Sequence, residues 1–178
     1  AAGLGTTGTS AIEMAMVQLG LSTAKFNHII RPTRSGPSCT KPSRPYAALT
    51  KLLKEGMGPW TGVVHFRLFD DVDAVLDTPA IEYLPMLLQA YPRSRLILTT
   101  RDKEEWVRRR ARDHRCTPAP FRLWFGLPTN TSNIYHPPCN PTPLHILGNS
   151  FDAWNAYVRW LAHSRNISLL EINLFAHP

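Results

Sequence analysis

An α/β fold built around a central parallel sheet is what this sequence predicts, and three observations carry the prediction. Gly3-Leu4-Gly5-Thr6-Thr7-Gly8-Thr9-Ser10 is a glycine-rich turn that opens directly into the apolar run Ala11-Ile12-Glu13-Met14-Ala15-Met16. Arg95-Leu96-Ile97-Leu98-Thr99-Thr100 reads as a short buried strand, with Arg101 at its end and a helix starting at once behind it. Strand and helix then alternate, which implies parallel pairing with right-handed crossovers. At 178 residues the chain has the size of one domain with a substantial core, so residues 1–178 are read as a single unit.

Taken in order, Thr9 to Leu19 is a helix with Ile12, Met16 and Leu19 on its inner face, stopped by Gly20. Asn27 to Pro45 is rich in Pro, Ser, Arg and Thr and reads as a loop. Tyr46 to Glu55 is a short helix with Leu49, Leu52 and Leu53 inward. Thr61 to Phe66 is a strand, and Ala74 to Leu76 a shorter one. Pro79 to Ala90 has a helical pattern, but Pro85 inside it must kink or break it. Asp102, with Glu105 three residues on, caps the helix that contains Trp106. From Thr117 onward prolines recur and periodicity is lost, so residues 117–150 are read as an irregular, lid-like segment. Phe151 to Ser164 is an amphipathic helix carrying Trp154, Tyr157, Val158 and Leu161, and Ile167 to Ile172 is a final strand.

The opening turn suits an anion. Glycines allow close backbone approach, successive N–H groups converge, and the helix dipole adds partial positive charge. Thr6, Thr7, Thr9 and Ser10 add hydroxyls. Gly3 and Gly8 have the spacing of a nucleotide-cleaving loop, but the lysine such a loop needs is replaced by Thr9. Holding a triphosphate for transfer of its last group is hard to explain without that cation. In an open parallel sheet, ligands sit beyond the carboxyl ends of strands, which brings Arg101 toward the same place as the turn.

These segments resemble the P-loop sulfotransferases. Members carry a G-x-x-[RKT]-[TS]-G-T-[TS] loop, matched by Gly3 to Ser10, and an I-L-T-x-R-D-x-x-x-W segment, matched by Ile97 to Trp106. Asp77-Thr78-Pro79 lies between them as in the family. The resemblance runs from Gly3 to about Arg109 and resumes from Phe151 to Leu174. It implies a three-layer, P-loop NTPase-like fold and transfer of a sulfuryl group from 3′-phosphoadenosine 5′-phosphosulfate to a hydroxyl or amine of a carbohydrate or small molecule, with no metal.

Carried over, Gly5, Thr6, Thr7, Gly8, Thr9 and Ser10 hold the 5′-phosphosulfate and Arg101 the 3′-phosphate. The family usually has Lys or Arg where Thr6 stands, a position that shares in catalysis. It often has a serine where Arg109 stands, and Arg109 serves the same phosphate by charge. Asp77 occupies the place of the histidine base of cytosolic relatives. Asp77 is equally a cap for a helix starting at Pro79. His65 is a second candidate base, with a satisfied core histidine as its alternative. Two other classes stand beside the enzyme: a non-catalytic anion-binding module that keeps the cradle without turnover, and a P-loop kinase, which Thr9 disfavours.

Composition narrows the partners. Net charge is +7, from 20 basic and 13 acidic residues, which suits anionic ligands. No zinc-finger, homeodomain or RNA-binding signature is present, so nucleic acid is not expected. The three cysteines lack metal-ligand spacing. No apolar run approaches the roughly 18 residues of a membrane span. The strand expected before Gly3 is reduced to Ala1 and Ala2, so the chain reads as a fragment lacking its first strand, with cytoplasm and Golgi lumen both open as its compartment.

Overall fold

Helix α1 (Thr9–Gln18) begins where Gly8 turns the chain at a left-handed φ of 94°, a conformation that disfavours any side chain. The helix stops because Gly20 takes φ 83°. The N–H groups of Gly20 and Leu21 then reach back to the carbonyls of Val17 and Met16, which satisfies the last turn. The computed structural model describes residues 2–4, 7–25, 28–31, 37–40, 69–77, 80–113 and 144–176. The expected inner stripe of α1 is corrected. Thr9, Ile12, Glu13 and Val17 are buried, whereas Leu19 is 78% exposed because it lies past the last helical residue, where the chain turns away.

The remaining elements are β1 (Thr23–Lys25), β2 (His28–Arg31), β3 (Ser38–Thr40), β4 (Ala74–Leu76), a 3-10 turn (Ala80–Tyr83), α2 (Leu84–Ala90), β5 (Leu96–Thr100), α3 (Lys103–Asp113), α4 (Leu144–Ser164) and β6 (Leu169–Asn173). Described strands fall into two sheets, ordered β3-β2-β1-β4 and β5-β6. The parallel pairing expected from strand–helix alternation occurs in both. Thr23, Ala24 and Lys25 face Ala74, Val75 and Leu76, and Leu96 through Thr100 run beside Leu169 through Asn173.

The first sheet also has an antiparallel extension, β1-β2-β3, so the architecture is mixed. The loop expected over Asn27 to Pro45 therefore contains two strands. Pro32 and Pro37 flank these strands without interrupting them, and Ile29-Ile30 supplies enough β-branched bulk for a short ladder. The helix expected over Tyr46 to Glu55 and the strand over Thr61 to Phe66 lie outside the described residues.

Pro85 breaks its helical segment as expected. The 3-10 turn ends at Tyr83 and α2 restarts with Pro85 in its first turn, where the missing N–H costs nothing. Residues 144–150, included in the irregular segment expected over 117–150, form the first two turns of α4. Gly148 lets α4 approach α3: a Cβ there would lie 2.9 Å from Lys103 Cε.

One core cluster joins Ala2 and Leu4 to Leu96 and Leu98 of β5, Trp106 of α3, and Phe151, Trp154 and Val158 of α4. Trp106 and Phe151 stack at 4.8 Å between centroids. The opening segment is held on two sides. Ala2 N–H donates to Ile97 O at 2.7 Å, and Trp154 Nε1 donates to Ala2 O at 2.8 Å. Arg159 of α4 grips the Glu171 carboxylate of β6 through two bonds of 2.9 and 2.6 Å, and holds that carboxyl below its ordinary range.

Replacing Trp154 by Phe keeps the ring but orphans the buried Ala2 carbonyl. We expect a loss of about 1–3 kcal/mol in urea unfolding. The same change at Trp160, 61% exposed, should stay within about 0.5 kcal/mol.

Candidate functional site

Five chain segments end at one rim, beyond the carboxyl ends of the parallel strands, where open α/β sheets place their ligands. They are the opening turn, Lys25 at the end of β1, Asp77 after β4, Arg101 after β5, and Leu174-Phe175 after β6. A cavity of about 630 Å³ lies elsewhere, lined among others by Asp73, Ala74, Arg95 and Leu96. Those residues enter β4 and β5, so the cavity opens at the opposite end of the strands from the turn.

The turn is anchored before it is available to a ligand. A Cβ on Gly3 would collide with Thr99 Oγ1 and lie 2.7 Å from the Thr99 carbonyl, so only glycine permits this approach. Thr7 is fully buried. Its hydroxyl donates to the Leu4 carbonyl and meets Thr99 Oγ1 at 2.7 Å, and its N–H also goes to Leu4 O, at 3.2 Å. Thr7 therefore ties the turn to β5 and faces inward. Gly8 O accepts from Ala11 and Ile12 N–H, which closes the first helical turn. The Thr9 and Ser10 amides stand at positions that have no carbonyl partner within the helix. Gly5 and Thr6 lie outside the described residues, as does His65.

Hydroxyls of the first turn point to neighbouring strand ends. Thr9 Oγ1 donates to Asp77 Oδ2 at 3.2 Å. Lys25 Nζ donates to Ser10 Oγ at 2.6 Å and lies 3.5 Å from Glu13 Oε2. Asp77 has φ 62°, an uncommon conformation for a residue with a side chain, and one that marks a position held by its surroundings. Its carbonyl accepts from Ile81 N–H at 3.2 Å, while its side chain turns to Thr9. The carboxylate thus reaches the turn, and the backbone carbonyl meets the following 3-10 segment.

Arg101 is buried, with 7% exposure. Its Nη2 donates to Glu105 Oε1 at 2.8 Å, and its Cζ stands 3.6 Å above the Phe175 ring centroid, a cation–π contact. Cε2 of that same ring lies 3.6 Å from where a Gly8 Cβ would be, and Leu174 Cδ1 lies 2.6 Å from it. Arg101 and Gly8 therefore flank one aromatic ring. Asp102 Oδ1 accepts from Glu105 N–H at 2.9 Å, making the expected cap of α3. The Glu105 side chain turns to arginines instead of completing a reciprocal box. Arg109, half-exposed, approaches the same Glu105 oxygen at 3.5 Å. The Glu105 carboxyl is held below its ordinary value, mainly by the Arg101 hydrogen bond, with Arg109 adding to it.

Sequence reasoning missed Lys25, Leu174 and Phe175. Lys25 closes a strand of three residues, too short for a periodic pattern, and the Phe175 contacts join positions far apart in the chain. Among the described residues, no group of three His, Cys, Asp or Glu side chains is placed to hold a metal ion. No described helix is long and apolar enough to cross a membrane.

Comparison with known proteins identifies the family of the chain. Residues 1–167 match a family model described as "Sulfotransferase domain". A curated relative, "Ava biosynthesis cluster protein M" of Aspergillus versicolor, is 26% identical over 157 residues, covering 86% of this chain. The chain spans 57% of that relative's length.

Glu105 yields a pH prediction. Its folded pKa lies below the ordinary 4.5, so its stabilising contribution is complete above that pH and is lost as pH falls through the folded value. Melting temperature should decline on acidification below about pH 4.5, and Glu105→Gln should flatten that decline while lowering the neutral-pH plateau. Thermal melts between neutral pH and pH 3 check both.

Proposed function

The chain belongs to the sulfotransferase domain family, and from that premise we propose that it transfers a sulfuryl group from 3′-phosphoadenosine 5′-phosphosulfate to a hydroxyl or amine of a small molecule or carbohydrate. The observation that carries the proposal is the placement of Gly8 and Arg101 on two sides of one ring, at the ends of adjacent elements. A doubly phosphorylated adenosine needs two anion seats separated by a nucleoside, and in this reading Gly8 at the turn and Arg101 after β5 mark them.

In this reading the fold is a three-layer, P-loop-type sheet in which Ala2–Leu4 is the inner strand between the two described sheets. Support comes from Ala2 N–H bonding Ile97 O on one side and from the Thr9–Asp77 bond across to β4 on the other. The backbone N–H groups of Thr9 and Ser10 and the Ser10 hydroxyl take the 5′-phosphosulfate, together with the adjoining Gly5 and Thr6. Arg101 takes the 3′-phosphate. Phe175 covers a face of the guanidinium, whose N–H donors lie in its plane, where two phosphate oxygens can be met side by side. Glu105 steadies the guanidinium, and Arg109 adds charge from the next turn.

Asp77 serves as the base. Its carboxylate accepts the acceptor hydroxyl's proton while the acceptor oxygen attacks sulfur in line with the departing phosphate oxygen. The Thr9 hydroxyl orients that carboxylate. Catalysis comes mostly from positioning and charge stabilisation. One observation favours a second reading, a binding module without turnover. Leu174 and Phe175 pack against Gly8, and the sequence from Gly3 to Ser10 holds no Lys or Arg, so the loop itself carries no cation.

Arg101→Ala should weaken adenosine 3′,5′-bisphosphate roughly 10- to 100-fold in titration calorimetry, the cost of one charge-assisted pair. Equal affinity for variant and parent would remove Arg101 from the seat. Asp77→Asn should lower turnover about 10²–10⁴-fold with bisphosphate affinity unchanged. Parent protein that binds the bisphosphate yet sulfates no sugar or phenol acceptor supports the binding module instead.

A further inference from the structure

We propose that Lys25 supplies the cation the opening turn lacks, meeting the charge that develops on the 5′-phosphate as the sulfuryl group departs. This rests on the sulfotransferase reading above. No described residue from Thr7 to Ser10 carries a charge, and Thr9 stands where a nucleotide-cleaving loop has its lysine. The ammonium arrives from a different element. Lys25 is the last residue of β1 and pairs in register with Leu76, one residue before Asp77.

Its surroundings are unusual for a lysine that only holds structure together. The side chain is 12% exposed, so most of its stem is covered while Nζ reaches the exposed Ser10. It also sits at the N-terminal turn of α1, where Nζ donates to Ser10 Oγ at 2.6 Å. A helix N-terminus carries partial positive charge and disfavours a cation. Glu13 Oε2, one turn further along α1 at 3.5 Å, offsets that cost from behind. Ser10 lies in front. Two positive sources converging on one hydroxyl leave a place that an incoming anion satisfies, and the bond to Ser10 sets the ammonium at the level of the turn's outward amides.

The step balances without any further reactant. The acceptor oxygen forms a bond to sulfur and its proton passes to the Asp77 carboxylate. The bond from sulfur to the bridging oxygen breaks, and its electron pair stays on the 5′-phosphate. Nothing is oxidised or reduced. Lys25 keeps its proton throughout and strengthens its hydrogen bond as charge builds on that oxygen, an interaction worth more in the transition state than in the ground state.

The test uses the unmodified protein first. Acetylation of Lys25, followed by mass spectrometry, should slow about tenfold in saturating adenosine 3′,5′-bisphosphate if phosphate covers the ammonium; an unchanged rate overturns the proposal. Lys25→Met should then lower kcat about 100-fold with donor KM within about threefold, and Lys25→Arg should recover part of the loss. Glu13→Gln, which removes the ion pair but keeps the cation, should leave kcat within about threefold of the parent. Lys25→Met turnover near the parent's overturns the proposal, as does an equal loss in Lys25→Met and Glu13→Gln, which makes Lys25 a clamp between β1 and α1. A parent chain that neither binds the bisphosphate nor transfers sulfate removes the sulfotransferase reading itself, and the lysine's role with it.

Discussion

The close approach of the opening segment to β5 is the constraint on which the rim depends. Gly3 lies so near Thr99 that no Cβ fits, and the Thr7 hydroxyl closes the same contact from the other end. Between them, the Ala2 N–H and C=O are taken by Ile97 and Trp154. The turn therefore starts from a fixed backbone. Its helix dipole, the Thr9 and Ser10 amides and the left-handed turn at Gly8 are all aimed by those few bonds. The aromatic core of Trp106, Phe151 and Trp154 gives this anchorage its stability, since the bonds gain strength where water is excluded.

Charge at the rim is organised by sharing. Arg101 and Arg109 share Glu105, and Lys25 is backed by Glu13. Glu105 lies in the first turn of α3, where negative charge is favoured, and Glu13 lies one turn into α1. Each cation comes from a strand end or from the following turn. The carboxylates partly neutralise the cations. In the function proposed above, an arriving phosphate meets donors already oriented, so little ordering entropy remains to be lost on binding. The same arrangement limits repulsion between cations crowded onto one rim.

The elements that could be read from the chain are those whose signal is local. The capping residue Asp102, the strand ending at Arg101, the break at Pro85 and the glycine stop after α1 each depend on a few neighbouring residues. The antiparallel β2-β3 pair was not legible, because three- and four-residue strands between prolines carry no periodicity. The first turns of α4 were not legible either, and the value of Gly148 appears only against Lys103 of another helix. At the site, glycines and hydroxyls suggested an anion seat, and the nearness of Arg101 to the turn followed from its position after a strand. Thr7 looked like one more phosphate donor. That its hydroxyl turns inward is decided by Thr99, ninety-two positions away. Lys25 and Phe175 were invisible for the same reason: what they touch is set by which strands lie side by side.

Phe175 gives the rim its one competing demand. Its ring lies on the Arg101 guanidinium and against Gly8, between the two seats proposed for the donor's phosphates. Stacking an aromatic ring on a partly desolvated guanidinium stabilises by about 0.5–2 kcal/mol, and the Phe175 residue stays 45% exposed. The contact uses the face of the guanidinium, whereas oxyanion pairing uses its plane. A ligand that engages Arg101 in the plane can keep the ring beneath it, and a ligand that needs the space between the seats must displace it. The cost of displacement is small against the charge-assisted bonds that replace it, so the ring sets the orientation of the guanidinium without closing the seat. A single aromatic residue at the end of β6 thereby links the turn, the arginine and the last strand into one rim.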